Sequence, residues 1–522
     1  MSQSHLLKTL TTSVLFFGAV YAPLVYAADE IPPDFIENTK DNTDQADELI
    51  KRERQNIIQG NNVPSATVSD SEAQKAINER RKLASAQGYD LEALKADPIA
   101  FTRFLNAALA AQDMATVKEL LPHYKALDVN DPMLIKFADA LVYRSEGENK
   151  KAIAIYKEML ADNPDFHPVR LNMAQALYAD KQYRVAHEQL QKLRGADIPE
   201  PVMANVERLM ARIDQQEDWR FNASVSYVYD KNLNGVPEKQ IKTNCSEAGC
   251  YLTGGNPESG KGLQVSGSAN KRINLDKNFY AEVGGSASLK GYWDNSEYND
   301  YLVTASTALG YDDARNDVSV SPFVTKRFYG EEPYSWRKGV TVSGSRWVQP
   351  KLKLTATGMY SNETIDDDDK NLREADGLFL GLNALYIKDA NEYFYGGLGR
   401  YQNDVDKTSF LSYDRDSVNV GWGREWTQGI STLASASYAI KDYDKPSDDI
   451  AGSFYSVYRI EGDDLNRKDK TTSLGLQVWK RDLTVLGLTP RLVFDYEKTS
   501  SNFKYYDDRD DKTATILLTK SF

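Results

Sequence analysis

The sequence has 522 residues, which is long enough for at least two domains, and it carries a formal net charge of -13. This acidic balance argues against nucleic acid as a main partner. The chain has 31 tyrosines but only 2 cysteines, Cys245 and Cys250, so disulfide bonds are not its main source of stability.

The first 27 residues have the layout of a secretion signal. Lys8 gives a short basic start, and an apolar run extends from about Leu10 to Val25. The residues that end at Ala27 fit a cleavage site, so we expect cleavage after Ala27. Ala28 rather than a cysteine follows, which argues against a lipoprotein. No later apolar run approaches the ~20 residues of a spanning helix, so any membrane insertion would use a β-barrel.

Residues 28–90 form a polar and charged stretch. Two segments in it have helical character, and they are separated by NNVPSATVSD, which is typical of a linker. The apolar content is too low for the stretch to fold alone. We therefore expect a partly helical or disordered N-terminal extension.

Residues 91–216 have helical periodicity and contain an internal repeat. Small residues fall where two helices must touch, and larger apolar residues fall where a helix pair meets its neighbour. This pattern, with its period of ~34 residues, resembles the tetratricopeptide repeat. The first legible repeat has Ala140, Tyr143, Ala152, Tyr156, Met159 and Pro164, and the second has Ala174, Leu177, Ala186, Leu190, Leu193 and Ile198.

A degenerate third repeat is expected in IAFTRFLNAALAAQDMATVKELLPHY, and a final capping helix in EPVMANVERLMARIDQQ. Arrays of this kind stack helix pairs into a solenoid whose concave face binds extended peptides or protein surfaces. The repeat positions themselves, including Tyr143 and Tyr156, are interpreted as core packing. The sequence does not select the residues that would contact a ligand.

At Trp219 the hydrophobic period changes from that of a helix to that of a strand. In WRFNASVSYVYD, apolar and aromatic residues alternate with polar ones, which gives one apolar face. The alternation recurs in GLQVSGSANKRINL and ISTLASASYAIK. Residues 217–522 contain about fourteen such segments, most near or above the ~9–11 residues that cross a bilayer when tilted.

The joins between these segments alternate between short and longer ones. Short joins are predicted at Asn274–Lys277, Asp312–Arg315, Gln349–Pro350, Asp389–Asn391, Thr427–Gly429 and around Leu483–Gly487, and longer polar ones at Lys231–Lys261, Ile365–Asn371 and Lys445–Asn466. An even number of antiparallel strands with tight turns at one end is the plan of an outer-membrane β-barrel. We therefore expect a closed barrel in the cell outer membrane, with the helical repeats in the periplasm.

The chain ends on Phe522, after an alternating face formed by Ala514, Ile516 and Leu518 and interrupted by Lys520. Outer-membrane barrels commonly end on an aromatic residue that the barrel-assembly machinery reads, and by this resemblance Phe522 is the expected assembly signal. The alternative is a large soluble β domain, such as a propeller or a sandwich. Such a domain would not need alternating loop lengths or a terminal aromatic residue.

Few residues are candidates for chemistry. His123, His167 and His187 are scattered through the helices, so no catalytic or metal arrangement can be assembled, and we expect no enzyme activity and no cofactor. The run Asp366–Asp369 is interpreted as a solvated charge run, and Gly396–Gly399 as barrel packing rather than a phosphate loop. Cys245 and Cys250, in NCSEAGCYL, are predicted to form a local disulfide, with a metal or reactive-thiol role as the alternative.

The order of a signal peptide, a short repeat array and about fourteen barrel strands resembles the surface lipoprotein assembly modifier family of Gram-negative bacteria. The resemblance covers nearly the whole mature chain, although the long polar stretch before the repeats is less typical. It implies a translocator that moves particular lipoproteins, or related soluble proteins, across the outer membrane to the cell surface. It further implies that the repeats receive the client in the periplasm.

The expected partners are therefore a client surface lipoprotein or secreted protein, the barrel-assembly machinery, periplasmic chaperones and outer-membrane lipids, without nucleic acid. One alternative function is a polysaccharide exporter, since such porins also fuse periplasmic repeats to a barrel. Another is a plain diffusion porin with an adaptor domain. Two or three repeats favour a protein client over a polysaccharide.

Overall fold

The computed structural model describes residues 90–234, 241–246, 249–253, 256–366, 373–389, 391–407, 409–444, 466–503 and 509–521. Within these residues an N-terminal array of helices precedes a closed antiparallel barrel. The predicted cleavage site at Ala27 and the terminal Phe522 lie outside the described residues. The fold class predicted from the two periodicities, helical repeats followed by a barrel, is confirmed.

The array consists of antiparallel helix pairs. Its helices are α1 (Leu91–Ala96), α2 (Pro98–Ala110), α3 (Met114–Lys125), α4 (Pro132–Ser145), α5 (Asn149–Asp162), α6 (His167–Ala179), α7 (Tyr183–Arg194) and α8 (Glu200–Asp214). The two legible repeats are α4–α5 and α6–α7, the degenerate repeat is α2–α3, and α8 is the final helix. The three predictions about the repeats are therefore confirmed.

Local sequence signals explain where these helices begin. Asp97 accepts hydrogen bonds from the backbone N–H groups of Ile99 and Ala100, both at 3.0 Å, and Pro98 occupies the first helical position of α2. α4 begins in the same way, with an aspartate cap followed by proline. The cap satisfies N–H groups that have no partner inside the helix, and proline has no N–H to leave unsatisfied.

The repeat positions form the core of the array, as predicted. One cluster joins α4 to α8 and contains Tyr156, Met159, Leu177 and Leu190, each with no exposed surface. A second cluster joins α2, α3 and α4 around Phe101. Among the described helices, none combines the length and the apolar character that a bilayer crossing requires.

Fourteen strands close the barrel in sequence order, with β16 beside β1. They are β1 (Trp219–Asp230), β4 (Gly260–Asn274), β5 (Phe279–Tyr292), β6 (Asp300–Asp312), β7 (Asn316–Tyr329), β8 (Glu332–Gln349), β9 (Leu352–Ile365), β10 (Ala375–Asp389), β11 (Glu392–Val405), β12 (Tyr413–Glu425), β13 (Ile430–Tyr443), β14 (Lys468–Lys480), β15 (Thr489–Ser501) and β16 (Arg509–Ser521). A separate hairpin contains β2 (Ile241–Ser246) and β3 (Gly249–Thr253). Closure gives every strand two neighbours, as a sheet in hydrocarbon requires.

The apolar residues of the alternating pattern face outward. In β1, Trp219, Phe221, Tyr227 and Tyr229 are each 45–47% exposed, and the even-numbered residues of the strand, which face inward, are less exposed. The outward residues of the other strands, such as Leu398, follow the same rule. This orientation is the reverse of a soluble sheet, which buries its apolar face. It therefore excludes the soluble β domain that the sequence left as an alternative.

The predicted short turns all lie at one end of the barrel, where β1 begins and β16 ends. The opposite end has the longer joins, with one exception. Gly330 and Glu331 connect β7 to β8 in a two-residue turn, and both have positive φ, at 60° and 70°. Positive φ at both central positions is typical of a type I′ hairpin turn. Since only four residues, 215–218, separate the end of α8 from the start of β1, the helical array lies at the short-turn end.

Candidate functional site at the mouth of the barrel

The helical array contacts two short turns of the barrel, residues 275–278 and 313–315, and we call this contact the joint. Lys150, in α5, donates to the Asp313 carboxylate at 2.7 Å and to the Tyr311 hydroxyl at 2.6 Å. The side chain of Asp313 is 7% exposed. A buried carboxylate requires a partner of this kind, because burying an unpaired charge is strongly unfavourable.

A second lysine reaches the neighbouring barrel residue. Lys181, in the turn between α6 and α7, forms an ion pair with Asp312, and Arg272 of β4 donates to the same carboxylate at 3.0 Å. Lys181 adopts a φ of 60°, which few residues other than glycine tolerate without cost. Asp312 is therefore shared between a cation from the array and a cation from the barrel.

A buried amide completes the centre of the joint. The side-chain NH₂ of Asn278 donates to the backbone carbonyl of Asp180 and, at 3.1 Å, to the backbone carbonyl of Asp312. Asn278 and Asp180 are 5% and 3% exposed. Hydrogen bonds between buried groups on two domains fix the relative position of the domains. A shift that broke these bonds while the groups stayed buried would leave polar groups without partners.

Exposed contacts surround this centre. The side chain of Glu217, between α8 and β1, accepts from the backbone N–H of Asn274 at 3.1 Å. Two exposed ion pairs at the edge of the joint connect Arg184 to Asp276 at 2.9 Å and Arg315 to Glu148 at 3.5 Å. Exposed ion pairs contribute little each, so these contacts help orientation more than stability.

The charges at the centre of the joint stabilise one another. Burial alone would raise the pKa of Asp313, but the hydrogen bonds from Lys150 and from the N–H groups of Arg315 and Asn316 outweigh it and hold this pKa well below its usual range. Burial also opposes the charged form of Lys150, yet its bonds to Asp313 and Tyr311 raise its pKa. The ion pair is therefore charged at neutral pH.

The wall of the barrel lumen is crowded on one side. On β9 to β13, near the end with the longer joins, Met359, Phe379, Tyr401, Tyr413 and Tyr443 form a buried cluster. Ion pairs lie beside it, as buried charges require. They join Arg337 to Glu363 at 3.0 Å and Arg327 to Asp300 at 2.9 Å.

On the other side of the lumen, several inward-facing residues near the middle of β1, β4 and β5 are small and polar. Ser266 and Ser288 face each other at 3.4 Å between their hydroxyl oxygens, and the side chain of Asn222 donates to Ser268 at 3.4 Å. The lumen is therefore asymmetric, with its small side chains near the seam between β1 and β16.

The structure does not gather the residues that the sequence selected into one site. Cys245 lies in β2 and Cys250 in β3, two paired strands of one hairpin, and their disulfide stays a prediction. Of the acidic run, Asp366 pairs with Lys326, and residues 367–369 lie outside the described residues. His123, His167 and His187 lie in three different helices.

The glycines at 396, 397 and 399 lie inside β11, as predicted, and not in a phosphate-binding loop. A Cβ added at Gly397 would lie 2.0 Å from the side-chain oxygen of Asn383 on the neighbouring strand. The absence of a side chain therefore allows close packing within the barrel wall.

Sequence reasoning missed the joint. Lys150 and Asp313 are 163 residues apart, and each is an ordinary residue for an exposed helix or a turn. The only signal was the pair Asp312-Asp313, in a turn that the sequence places at the end of the barrel facing the repeats. Nothing in one sequence shows which lysines would reach that turn.

Comparison with known families matches both parts of the chain. The family model described as surface lipoprotein assembly modifier matches residues 219–522, and the model of its N-terminal tetratricopeptide repeats matches residues 87–190.

Individual relatives match along most of their length. A surface lipoprotein assembly modifier of Pasteurella multocida is 28% identical over 80% of this chain and 82% of the relative. Surface lipoprotein assembly modifier 1 of Neisseria meningitidis is 26% identical over 88% of this chain and 90% of the relative. A hemophilin secretion modulator of Acinetobacter baumannii is 23% identical over 84% of this chain and 88% of the relative.

Solved structures give a weaker likeness. A bacterial polysaccharide outer membrane secretin aligns with a TM-score of 0.31 and 9% identity, over 59% of this chain and 98% of that one. The outer membrane channel DcaP of Acinetobacter baumannii also aligns with a TM-score of 0.31, at 8% identity, over 58% of this chain and 95% of that one. Neither superposition is close enough to bear on function.

The closed barrel with its outward apolar face, together with the family match, places the protein in the outer membrane, with the helical array on the periplasmic side. The repeats, the barrel and their order agree with the family over more than half of the chain. The chain belongs to the surface lipoprotein assembly modifier family.

Proposed function

We propose that this protein moves specific client proteins, either surface lipoproteins or related secreted proteins, from the periplasm to the cell surface. The observation that carries the proposal is the joint, which holds the helical array against the periplasmic turns of a closed barrel. Arrays of this type bind peptides or protein surfaces. A client bound by the array is thereby kept at the barrel mouth. The names of the relatives, which refer to surface lipoprotein assembly and to hemophilin secretion, support the same function.

The proposed mechanism needs no chemistry by this chain. The client arrives unfolded or held by periplasmic chaperones, and the array binds an extended segment of it. Folding of the client outside the cell makes the step effectively one-way. The proposed mechanism therefore requires neither a cofactor nor an enzymatic activity of this chain. The barrel-assembly machinery inserts the barrel, which the lipids of the outer membrane then surround. Nucleic acid is not a partner, consistent with the net charge of -13.

The two alternatives make different predictions. A diffusion porin requires a steadily open lumen, and the buried aromatic cluster on β9 to β13, with the ion pairs beside it, favours a restricted one. A polysaccharide exporter would give polymer at the cell surface and leave the exposure of neighbouring lipoproteins unchanged. Large, steady conductance in planar bilayers would favour the porin over the translocator.

The proposal is tested by co-expressing the chain in a laboratory Gram-negative host with the lipoproteins encoded beside it. Protease accessibility of each lipoprotein on intact cells is the readout. The translocator predicts exposure that depends on this chain and is lost when residues 28–216 are deleted, while the barrel still inserts. If no lipoprotein changes its exposure although the barrel is inserted, the translocator proposal is wrong.

A further inference from the structure

The seam that closes the barrel is shorter than every other seam. Among the described residues, β1 and β16 share five register pairs, from Asn222 with Ser521 to Ser226 with Leu517. The thirteen other seams of the barrel have 11 to 14 register pairs each. The described register pairing of this seam therefore covers only its periplasmic half.

The short seam does not result from short strands. β1 pairs with β4 as far as Asp230, and β16 pairs with β15 as far as Arg509. If the register continued, residues 227–229 of β1 would pair with residues 516–514 of β16. We call these six described residues the outer seam, and none of them has a register partner across the seam. The Thr515 hydroxyl instead donates to the Tyr227 backbone carbonyl at 2.8 Å.

The outer seam begins within the apolar belt of the barrel. On its outward face, Ile516 is 55% exposed and Tyr227 and Tyr229 are 46% and 45% exposed. Backbone N–H and C=O groups that face hydrocarbon without a partner are strongly unfavourable. The group that best satisfies two parallel rows of such donors and acceptors is another extended backbone.

The shape of the surroundings favours a single strand as the occupant. The outer seam lies between two edges of one barrel, so a second barrel would not reach its inner side, and lipid chains have no groups to pair with a backbone. On the lumen side, β1 and β4 present small residues such as Ser226 and Ser266. A narrow extended chain can therefore reach the outer seam from the lumen.

We propose that the outer seam binds an extended segment of the client by β-strand addition and releases the client sideways into the outer leaflet and the cell surface. This inference rests on the proposed function, since it assigns the site at which the translocated chain leaves the barrel. The occupant pairs through its backbone, so recognition depends on its extended conformation more than on its side chains.

A disulfide across the outer seam tests the proposal. The variant Tyr229→Cys/Ala514→Cys joins two positions that a continued register brings opposite each other. The matched control is Val265→Cys/Leu289→Cys, which joins two register partners in the fully paired seam between β4 and β5. The readout is protease accessibility, on intact cells, of the lipoproteins encoded beside this chain. Cells with the wild-type chain, treated with the same reductant, are a further control.

We expect the oxidised outer-seam variant to lose client exposure about tenfold or more, and reductant to raise it again relative to the oxidised form. The oxidised control should match wild type. A second measurement does not depend on the lock. A single Ala514→Cys substitution should form disulfide adducts with cysteines placed along the client, and Leu289→Cys should not.

Full client exposure by the oxidised, cross-linked outer-seam variant, or adducts that form equally at positions 514 and 289, would overturn the inference and leave the translocator proposal standing. No client exposure by inserted wild-type protein would overturn the proposed function, and the inference with it.

Discussion

At the scale of single residues, the function depends on a few charges that lie far apart in the sequence. Asp312 and Asp313 are both buried at the end of β6, and each pairs with a lysine from the array. The sequence predicts the turn that contains them, since two acidic residues end a strand there. It does not predict the lysines, because surface lysines on helices are common and their targets depend on how two domains meet.

The first prediction concerns Asp313→Asn. The amide keeps the size of the side chain but removes the charge that Lys150 meets at 2.7 Å. Because the carboxylate is buried and hydrogen-bonded, we expect the joint to weaken by about 1–3 kcal/mol. Limited proteolysis between α8 and β1 should become faster.

The matched control is Lys136→Met, which removes an exposed ion pair with Glu158 inside the array. Exposed pairs contribute less than about 1 kcal/mol, so its cleavage rate should stay close to that of wild type. Equal cleavage rates for Asp313→Asn and Lys136→Met would show that the buried pair does not hold the joint.

The second prediction concerns pH. The pKa of Asp313 is lower in the joint than its usual value, so its contribution is present above pH ~4 and is lost as pH falls further. The pKa of Lys150 is raised, so its contribution is lost only as pH rises above ~10.4. Burial raises the pKa of Asp180, which partly offsets the loss at low pH.

Energy transfer between fluorophores on α5 and on a periplasmic turn, measured in detergent, reports docking across this range. It should be constant from about pH 5 to 9 and should fall at more acidic pH. Asp313→Asn should already show reduced transfer at neutral pH, with a smaller further fall at acidic pH. A wild-type profile that falls between pH 6 and 8 would contradict the assignment of docking to this carboxylate.

At the scale of elements, the sequence predicts helices and strands well because each has one apolar face with its own period. The strand predicted at Trp219 is β1, and the repeat positions at Tyr156 and Leu177 are fully buried. The short seam between β1 and β16 could not be predicted. Nothing in the sequence of either strand marks where their pairing ends, and only their relative position in space shows that half of the pairing is missing.

The third prediction tests whether the array and the barrel fold as separate units. Leu177→Ala removes a side chain that is fully buried between helix pairs, which typically costs about 2–5 kcal/mol. We expect the helices to melt at a lower temperature while the barrel still inserts. Circular dichroism of the helical signal and heat-modifiable gel migration of the barrel measure the two effects.

The control for this substitution is Val129→Ala, at a residue that is 70% exposed, which should leave both signals close to wild type. If Leu177→Ala also prevents barrel insertion at normal expression levels, the two parts do not fold independently. The barrel would then depend on the array for assembly as well as for the handling of clients.

At the scale of the whole molecule, the arrangement connects a binding surface to an exit. The array lies at the periplasmic turns, and small polar residues such as Ser266 and Ser288 line part of the lumen beside β1. That side leads to the seam at which β1 and β16 pair over half their length. Asymmetry of this kind is unnecessary for passive diffusion. In the proposed mechanism it gives a client a path from the array through the barrel.

The most direct measurement is client exposure on intact cells by a chain that carries Asp312→Asn and Asp313→Asn. Both substitutions act on the joint and leave the repeat core and the outer seam unchanged. We predict wild-type levels of inserted barrel and of folded array, with client exposure reduced about tenfold or more. Wild-type exposure, with detachment of the array confirmed by energy transfer, would contradict the claim that the repeats must be held at the barrel mouth.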